Sequence, residues 1–387
     1  MTADAPAATR SLRIGVVANT SWYLLNFRSN LIQALRADGH TVLAIGGDGE
    51  YARQLAARDI EHRPIAFNGS GTQPLHELNT VLALRRTLAQ ERLDVVLSYT
   101  PKGNIYSALA LFGQPGALVM NISGLGAAFA RANVLAAVVR VLYRASLRRA
   151  AWVFFQNEDD LVQFRSRNLV GADRVSRLPG SGVDLVRFRP AVSGGDVGAG
   201  PLFLMVARLL WDKGVGEFVE AARQVRRQHP RTRFRLLGAL ASDHRGGVPE
   251  AALRQWVAED LVEYPGAVDD VRPHLAEATC VVLPSVYREG VPRSLLEAAA
   301  SARPVIATDS VGCRDAVDDG ISGFLCRPRD AADLARQMLR LLALPAALQR
   351  DMGLAGRMKM EREFDEARVI EAYRQRLLTI YDTGVTR

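Results

Sequence analysis

Leu202-Phe-Leu-Met-Val206, followed by Ala-Arg208-Leu-Leu-Trp-Asp-Lys213-Gly214, is the stretch on which the reading of the fold turns. Five consecutive apolar residues read as a strand buried on both faces, the habit of parallel sheets sandwiched between helices. Just before it, residues 191–201 (Ala-Val-Ser-Gly-Gly-Asp-Val-Gly-Ala-Gly-Pro) are Ser/Gly-rich and are expected to link two domains. Strand–helix alternation runs up to this linker and starts again after it. Leu12-Arg-Ile-Gly-Val-Val-Ala18 is the expected first strand, residues 27–39 its helix, and Thr41-Val-Leu-Ala-Ile45 the next strand. Asp94-Val-Val-Leu-Ser98, Leu118-Val-Met-Asn121 and Trp152-Val-Phe-Phe155 repeat the pattern before the linker. Phe234-Arg-Leu-Leu237, Cys280-Val-Val-Leu283 and Pro304-Val-Ile-Ala307 continue it afterwards, and from about Arg329 the chain reads as helical. The expected class is α/β: two doubly wound Rossmann-like domains, residues 1–193 and 200–367, facing each other across a cleft. A terminal helix, 368–387, is expected to return to the first domain. At 387 residues the chain exceeds the size at which one core keeps growing. Ligands of such sheets bind outside the carboxyl ends of the strands.

Composition narrows the function classes. The chain is 48% apolar and 23% charged, and no apolar run is long enough to span a bilayer. Residues 1–10 carry no apolar signal core, so a cytoplasmic protein is expected. Cys280, Cys313 and Cys326 are scattered without metal-ligand spacing and read as buried, reduced thiols. The excess of 49 Lys+Arg over 41 Asp+Glu is not accompanied by a nucleic-acid motif, so no nucleic-acid partner is expected.

Within the second half, Glu289-Gly-Val-Pro-Arg-Ser-Leu-Leu-Glu297 places two carboxylates eight positions apart around Pro292. Pro suits the first position of a helix, where its missing N–H costs nothing. Glu289 then precedes the helix and Glu297 lies inside it, beside an N-terminus that attracts anions. Such a site suits an anionic ligand with hydroxyls on both sides of its phosphates, as in a nucleotide sugar. The loop cations Arg208 and Lys213 fit the same ligand, since Arg grips phosphate oxygens bidentately and Lys acts as a point charge.

Arg208-x4-Lys213 followed by Glu289-x7-Glu297 resembles the retaining two-domain (GT-B) glycosyltransferases, family 4-like. Gly182-Val-Asp-x3-Phe188-x-Pro190, Val282-Leu-Pro-Ser285, Pro304-Val-Ile-Ala-Thr-Asp309 and Gly320-x2-Gly323-Phe-Leu agree with it. Ser98-Tyr-Thr-Pro-Lys-Gly-Asn-Ile-Tyr106, Gly124-Leu-Gly126 and Arg288-Glu-Gly-Val-Pro-Arg-Ser-Leu-Leu-Glu297 resemble a bacterial subgroup within it. That subgroup transfers N-acetylgalactosamine or a related sugar from UDP to a polyprenyl-diphosphate-linked acceptor. The resemblance implies a UDP-sugar donor, a lipid-linked saccharide acceptor, turnover with retention, no cofactor and no metal. It implies roles too. Glu297 takes the ribose hydroxyls, Glu289 holds the donor sugar, and the amides of Gly290, Val291, Arg293 and Ser294 cradle the diphosphate. Arg208 and Lys213 neutralise the departing nucleoside diphosphate, whose charge grows in the transition state. No residue reads as a covalent nucleophile.

On the acceptor side, many relatives carry a histidine near the position of Ser123, where this chain has Asn121-Ile-Ser-Gly124. Ser123, Gly124, Lys102 and Asn104 are the expected acceptor-side contacts, the last two in a loop after the strand ending at Ser98. Asp269-Asp270 reads as a turn or cap rather than a metal site. Ala302 stands where relatives usually place glycine and is expected to cap a helix with positive φ. Residues 127–151 combine apolar positions with Arg131, Arg140, Arg144, Arg148 and Arg149, a basic amphipathic pattern that suits the inner face of a membrane. Two rivals remain at this stage, a nucleotide-sugar epimerase of the same architecture and a non-catalytic sugar-nucleotide-binding protein.

Overall fold

The computed structural model describes residues 11–67, 73–124, 134–190, 200–241, 244–288 and 290–382. Seven parallel strands form the first sheet: β1 (Arg13–Val17), β2 (Thr41–Gly46), β3 (Glu61–Pro64), β4 (Val95–Tyr99), β5 (Ala117–Ile122), β6 (Trp152–Phe155) and β7 (Val175–Arg177). Their order is β3-β2-β1-β4-β5-β6-β7. Six parallel strands form the second: β8 (Leu202–Val206), β9 (Arg233–Leu237), β10 (Glu263–Gly266), β11 (Cys280–Leu283), β12 (Val305–Thr308) and β13 (Gly323–Cys326), in the order β10-β9-β8-β11-β12-β13. In both sheets the order reverses beside the first strand, between β1 and β4 and between β8 and β11. Those are the points where crevices open above the strand ends.

Helices cover both faces of the first sheet. One face packs on α4 (Pro74–Glu91), α5 (Pro101–Ala110), α6 (Val134–Arg149) and α7 (Glu158–Ser166), through Leu84, Ile105, Tyr143, Leu147 and Phe164. The other packs on α1 (Ser21–Phe27), α2 (Ser29–Ala37) and α3 (Glu50–Ala56), through Leu24, Ile32, Leu35 and Leu55. The second sheet is wrapped by α8 (Val215–Gln228), α9 (Glu250–Ala258), α10 (Arg272–Glu277), α11 (Arg293–Ala300), α12 (Ala331–Leu342) and α13 (Ala346–Lys359) in one continuous core. A π-turn at Met360–Phe364 then leads into α14 (Glu366–Asp382), whose Val369, Tyr373, Leu377 and Ile380 pack on the first sheet. The backbones cross where Val183 N–H donates to Phe364 O at 2.8 Å and Glu366 N–H to Val183 O at 3.1 Å.

The helix expected over 27–39 is instead two helices broken at Arg28. Thr20 caps the first, its hydroxyl accepting from Tyr23 N–H at 3.2 Å, so helix begins at Ser21. Arg28, with φ −131° and ψ −6°, leaves helical geometry and turns its side chain inward. It is 1% exposed, with its guanidinium 4.2 Å from the Tyr99 ring centroid and donating to the Tyr23 hydroxyl at 2.9 Å. Burial pulls its pKa down, but electrostatic interaction with the Tyr23, Tyr99 and Tyr373 phenols and the hydrogen bond to Tyr23 outweigh that and leave it raised.

Ala302 closes α11 with φ 56°, its N–H donating to Ala299 O at 2.9 Å. A side chain in the left-handed region costs on the order of 1 kcal/mol relative to glycine. Ala302→Gly is therefore expected to stabilise the protein by about 1 kcal/mol, read as a raised urea midpoint at unchanged slope.

Candidate active site

The site begins with the loop after β8. Gly238, at the end of β9, lies against it: a Cβ there would stand 2.0 Å from Ala207 O. Buried Leu209 and Leu210 anchor the loop, a 3-10 turn spans Trp211–Lys213, and Gly214 leaves it with φ 82°. A Cβ on Gly214 would meet Pro284 O at 2.2 Å, so the β8 loop is pressed against the loop that follows β11. Hydrogen bonds lace the two together. The Asp212 carbonyl accepts Val286 N–H at 2.9 Å and Tyr287 N–H at 3.0 Å, and the Ser285 hydroxyl donates to it at 3.3 Å. Lys213 Nζ consequently lies 5.3 Å from the Tyr287 ring centroid. Arg208 is exposed at the strand end and forms no ion pair among the described residues.

Glu289 itself lies outside the described residues, but both its neighbours are fixed. Arg288 reaches into the first domain, its Nε and Nη2 each 2.9 Å from Asp160 Oδ1. Gly290 N–H donates to Ser123 O at 2.8 Å, and a Cβ on Gly290 would come within 2.3 Å of Gln156 Oε1. Loops that follow β5 and β6 thus meet the loop that follows β11, and the carboxyl ends of the two sheets face each other. The Gly290 amide, expected to bind diphosphate, is spent on this interdomain contact. Val291 is buried, packed against Gly180.

Pro292 occupies the cap before α11 rather than its first helical position, with φ −63° and ψ 125°. No side chain caps this end, so the first-turn amides of Arg293 and Ser294 point out of the helix start. Arg293 Nε donates to Glu297 Oε1 at 3.2 Å, and its guanidinium lies 5.1 Å from the Phe27 ring of the first domain. Burial pushes the Glu297 carboxyl pKa up, partly offset by Arg293 and Arg187.

The first-domain residues are placed differently from expectation. Lys102 and Asn104 lie in the first turn of α5, not in a loop. Lys102 Nζ is 2.6 Å from Glu77 Oε1, and Glu77 also bonds the Tyr106 hydroxyl. Asn104 is wholly buried: it accepts from the Ser98 hydroxyl at 2.7 Å and donates to Asn121 O at 2.9 Å. Its polar atoms are spent on bridging β4, β5 and α5. Asn121 extends the chain, accepting from Gln156 Nε2 at 2.9 Å and donating to the Tyr373 hydroxyl at 3.0 Å. Ser123 contributes its carbonyl, Gly124 is buried with φ 109°, and Gly126 and Arg131 lie outside the described residues. Of the expected basic surface, Arg149 is tied to Gly116 O at 2.9 Å, while Arg144 and Arg148 are exposed. Asp270 accepts from the Arg272 N–H at 3.1 Å, and the described residues contain no His/Cys/Asp/Glu cluster able to hold a metal.

Sequence reasoning assigned no role of their own to Asp160, Arg288, Asn121 and Gln156. One signal was available: Asn157-Glu-Asp-Asp160 after an apolar strand is a helix start, with Asn157 Oδ1 accepting Asp160 N–H at 2.7 Å.

Two doubly wound sheets opposed at their carboxyl ends, with a cationic loop laced to the segment before α11 at the switch point, define a two-domain α/β protein built to hold an anionic ligand between its sheets. Residues 27–180 match the family described as glycosyl transferase 4-like domain, and residues 200–344 match glycosyl transferases group 1. A Campylobacter jejuni relative, N,N'-diacetylbacillosaminyl-diphospho-undecaprenol alpha-1,3-N-acetylgalactosaminyltransferase, is 27% identical, the match spanning 86% of this chain and 89% of that protein. Erwinia amylovora AmsK, an amylovoran biosynthesis glycosyltransferase, is 33% identical over 44% of this chain and 42% of its own. Among solved structures, Anabaena HepE in complex with UDP and glucose superposes with a TM-score of 0.78 at 18% identity, covering 95% of this chain and all of that one. Sucrose-phosphate synthase from Thermosynechococcus elongatus gives 0.76 at 19% identity, covering 97% of this chain and all of that one. The chain belongs to the GT-B glycosyltransferases.

The raised pKa of Glu297 has a signed consequence. The native state holds this proton more tightly than the unfolded chain, so stability falls as pH rises from the unfolded pKa, about 4.3, through the folded value. Glu297→Gln removes that loss. At pH 7.5 its Tm is expected at or above wild type, with the difference disappearing near pH 4, as thermal melts across that range will read.

Proposed function

We propose that this glycosyltransferase moves a hexose or N-acetylhexosamine from a UDP-sugar to a polyprenyl-diphosphate-linked saccharide, with retention of anomeric configuration. The observation that carries the reading is the lacing of Lys213 and its loop to the segment that leads through Glu289 into α11. Phosphate held there would meet Lys213, Arg208 and the uncapped amides of Arg293 and Ser294 together. As the bond to the donor sugar breaks, negative charge accumulates on the departing diphosphate. Fixed cations stabilise that charge more than they stabilise the bound donor, which is the condition for catalysis. Retention follows from attack on the face the leaving group vacates, the departing phosphate oxygen taking the acceptor hydroxyl's proton. The scheme draws on no metal. Glu297 accepts the ribose diol by releasing Arg293, and Glu289 holds hydroxyls of the donor sugar.

The acceptor class rests on the Campylobacter relative and on the first-domain surface. An acceptor with a polyprenyl chain resides in a bilayer, and no described helix is long and apolar enough to cross one. On α6, Val138 is 49% and Val141 68% exposed beside the exposed Arg144. That combination supports peripheral docking on an anionic inner leaflet, with the body of the enzyme in the cytoplasm.

Lys213→Ala is expected to lower turnover by about 10²–10³-fold, the range for losing one group that stabilises developing charge, and Glu289→Ala, which loses the hold on the donor sugar, to lower it by at least about 10²-fold. NMR of the first-formed product should show the donor's anomeric configuration kept. An inverted product, or near-wild-type turnover in either variant, would remove the mechanism. Sedimentation with anionic vesicles at low salt tests the docking: protein left in the supernatant excludes it.

A further inference from the structure

The two residues that flank Glu289 are both held by the first domain, Arg288 by the Asp160 carboxylate and Gly290 by the Ser123 carbonyl. Two residues upstream, Tyr287 is held by Asp212 of the second domain. The segment is therefore strung between the domains, with its sugar-side end fixed from the acceptor domain.

Asp160 is built for such a role. Its side chain is 0% exposed, while Arg288 is 31% exposed. Asn157 fixes it twice, capping its amide at 2.7 Å and donating from Nδ2 to Oδ2 at 3.0 Å. The acid is thus oriented by its own domain, and Oδ1 is presented to the seam. Burial pushes its pKa up while Asn157 and Arg288 pull it back, so the cation works against the effect of burial. Other charges lie near: Asp159 faces Arg314 at 3.9 Å, and Arg314 is itself engaged by Asp309 at 2.7 Å.

We propose that Asp160 is a positioning residue which, through Arg288, fixes the loop before α11 against the first domain and so sets how that loop meets the sugar of the donor. The proposal rests on the donor-site reading above and deepens it: recognition of the sugar, unlike that of the nucleotide, depends on an acid of the opposite domain. Arg208, Lys213 and Glu297 hold the nucleoside diphosphate without this pair, so its loss leaves their contacts in place.

The test uses the full chain and Asp160→Asn, which removes the buried charge and keeps the shape. Titration calorimetry with UDP, and with UDP-glucose, UDP-N-acetylglucosamine and UDP-N-acetylgalactosamine, reads the sugar's contribution to donor affinity. In Asp160→Asn, UDP affinity is expected within twofold of wild type. Affinity for the preferred UDP-sugar should fall by on the order of tenfold, and kcat by at least as much. Arg288→Lys, which keeps the charge but not the fork, should fall between the two. Equal losses for UDP and UDP-sugar would make the pair mere interdomain glue and overturn the proposal, as would an unchanged variant. If wild type itself distinguishes no UDP-sugar from UDP, the donor reading fails first and the proposal with it.

Discussion

The carbonyl of Asp212 is the point from which the site is assembled. β8 and β11 are neighbours on either side of the switch in strand order, and each ends in a loop that could adopt many shapes alone. A backbone oxygen accepting two consecutive amides of the other loop removes that freedom, because buried donors left unpaired would each cost free energy comparable to a lost hydrogen bond. Gly214 makes the approach possible. Its φ of 82° and the 2.2 Å that would separate a Cβ from Pro284 O are two separate reasons why no other residue fits. This packing sets Lys213 beside the Tyr287 ring.

The first domain supports the same segment by different means. Ser98, Asn104, Asn121, Gln156 and Tyr373 form a buried chain of hydrogen bonds under the strand ends, and its last member belongs to α14. Polar groups buried in a low dielectric are costly when unpaired and rigid when paired. The chain therefore fixes Gln156, against which Gly290 sits without a side chain. Returning α14 to the first domain thus contributes to the site as well as to the core. Arg28 does similar work near α1: caged by Tyr23 and Tyr99, it holds the break after Phe27, the ring that meets Arg293.

The strands were legible because both faces of each central strand are buried, so their runs are continuously apolar. Trp152–Phe155 and Leu202–Val206 fall where the sequence places them. Where side-chain capping or polar burial decides, the sequence misleads. Thr20 moved a helix start by six residues from the expected 27, and Asn104 reads as a loop residue because nothing in its neighbours announces burial. The Arg293–Glu297 pair was readable in principle, since residues four apart share a helix face. Arg288 and Asp160 were not, being 128 positions apart and joined only when the two sheets face each other.

That last distinction bears on how the donor site works. Glu297 sits in an environment that disfavours its charge, tempered by an arginine of its own helix and by Arg187. Burial raises the cost of a charge on this carboxyl, and Arg293, bonded to one of its oxygens, offsets only part of it. A vicinal diol offers two donors to the two oxygens, and Arg293, released, still has the Phe27 ring at 5.1 Å on which to rest. Binding the nucleoside would then break one ion pair within α11 and leave Arg293 the cation–π contact it already makes with the first domain. On the proposed donor reading, nucleotide capture on the second domain and the grip of the first domain on the start of α11 would be linked through a single guanidinium.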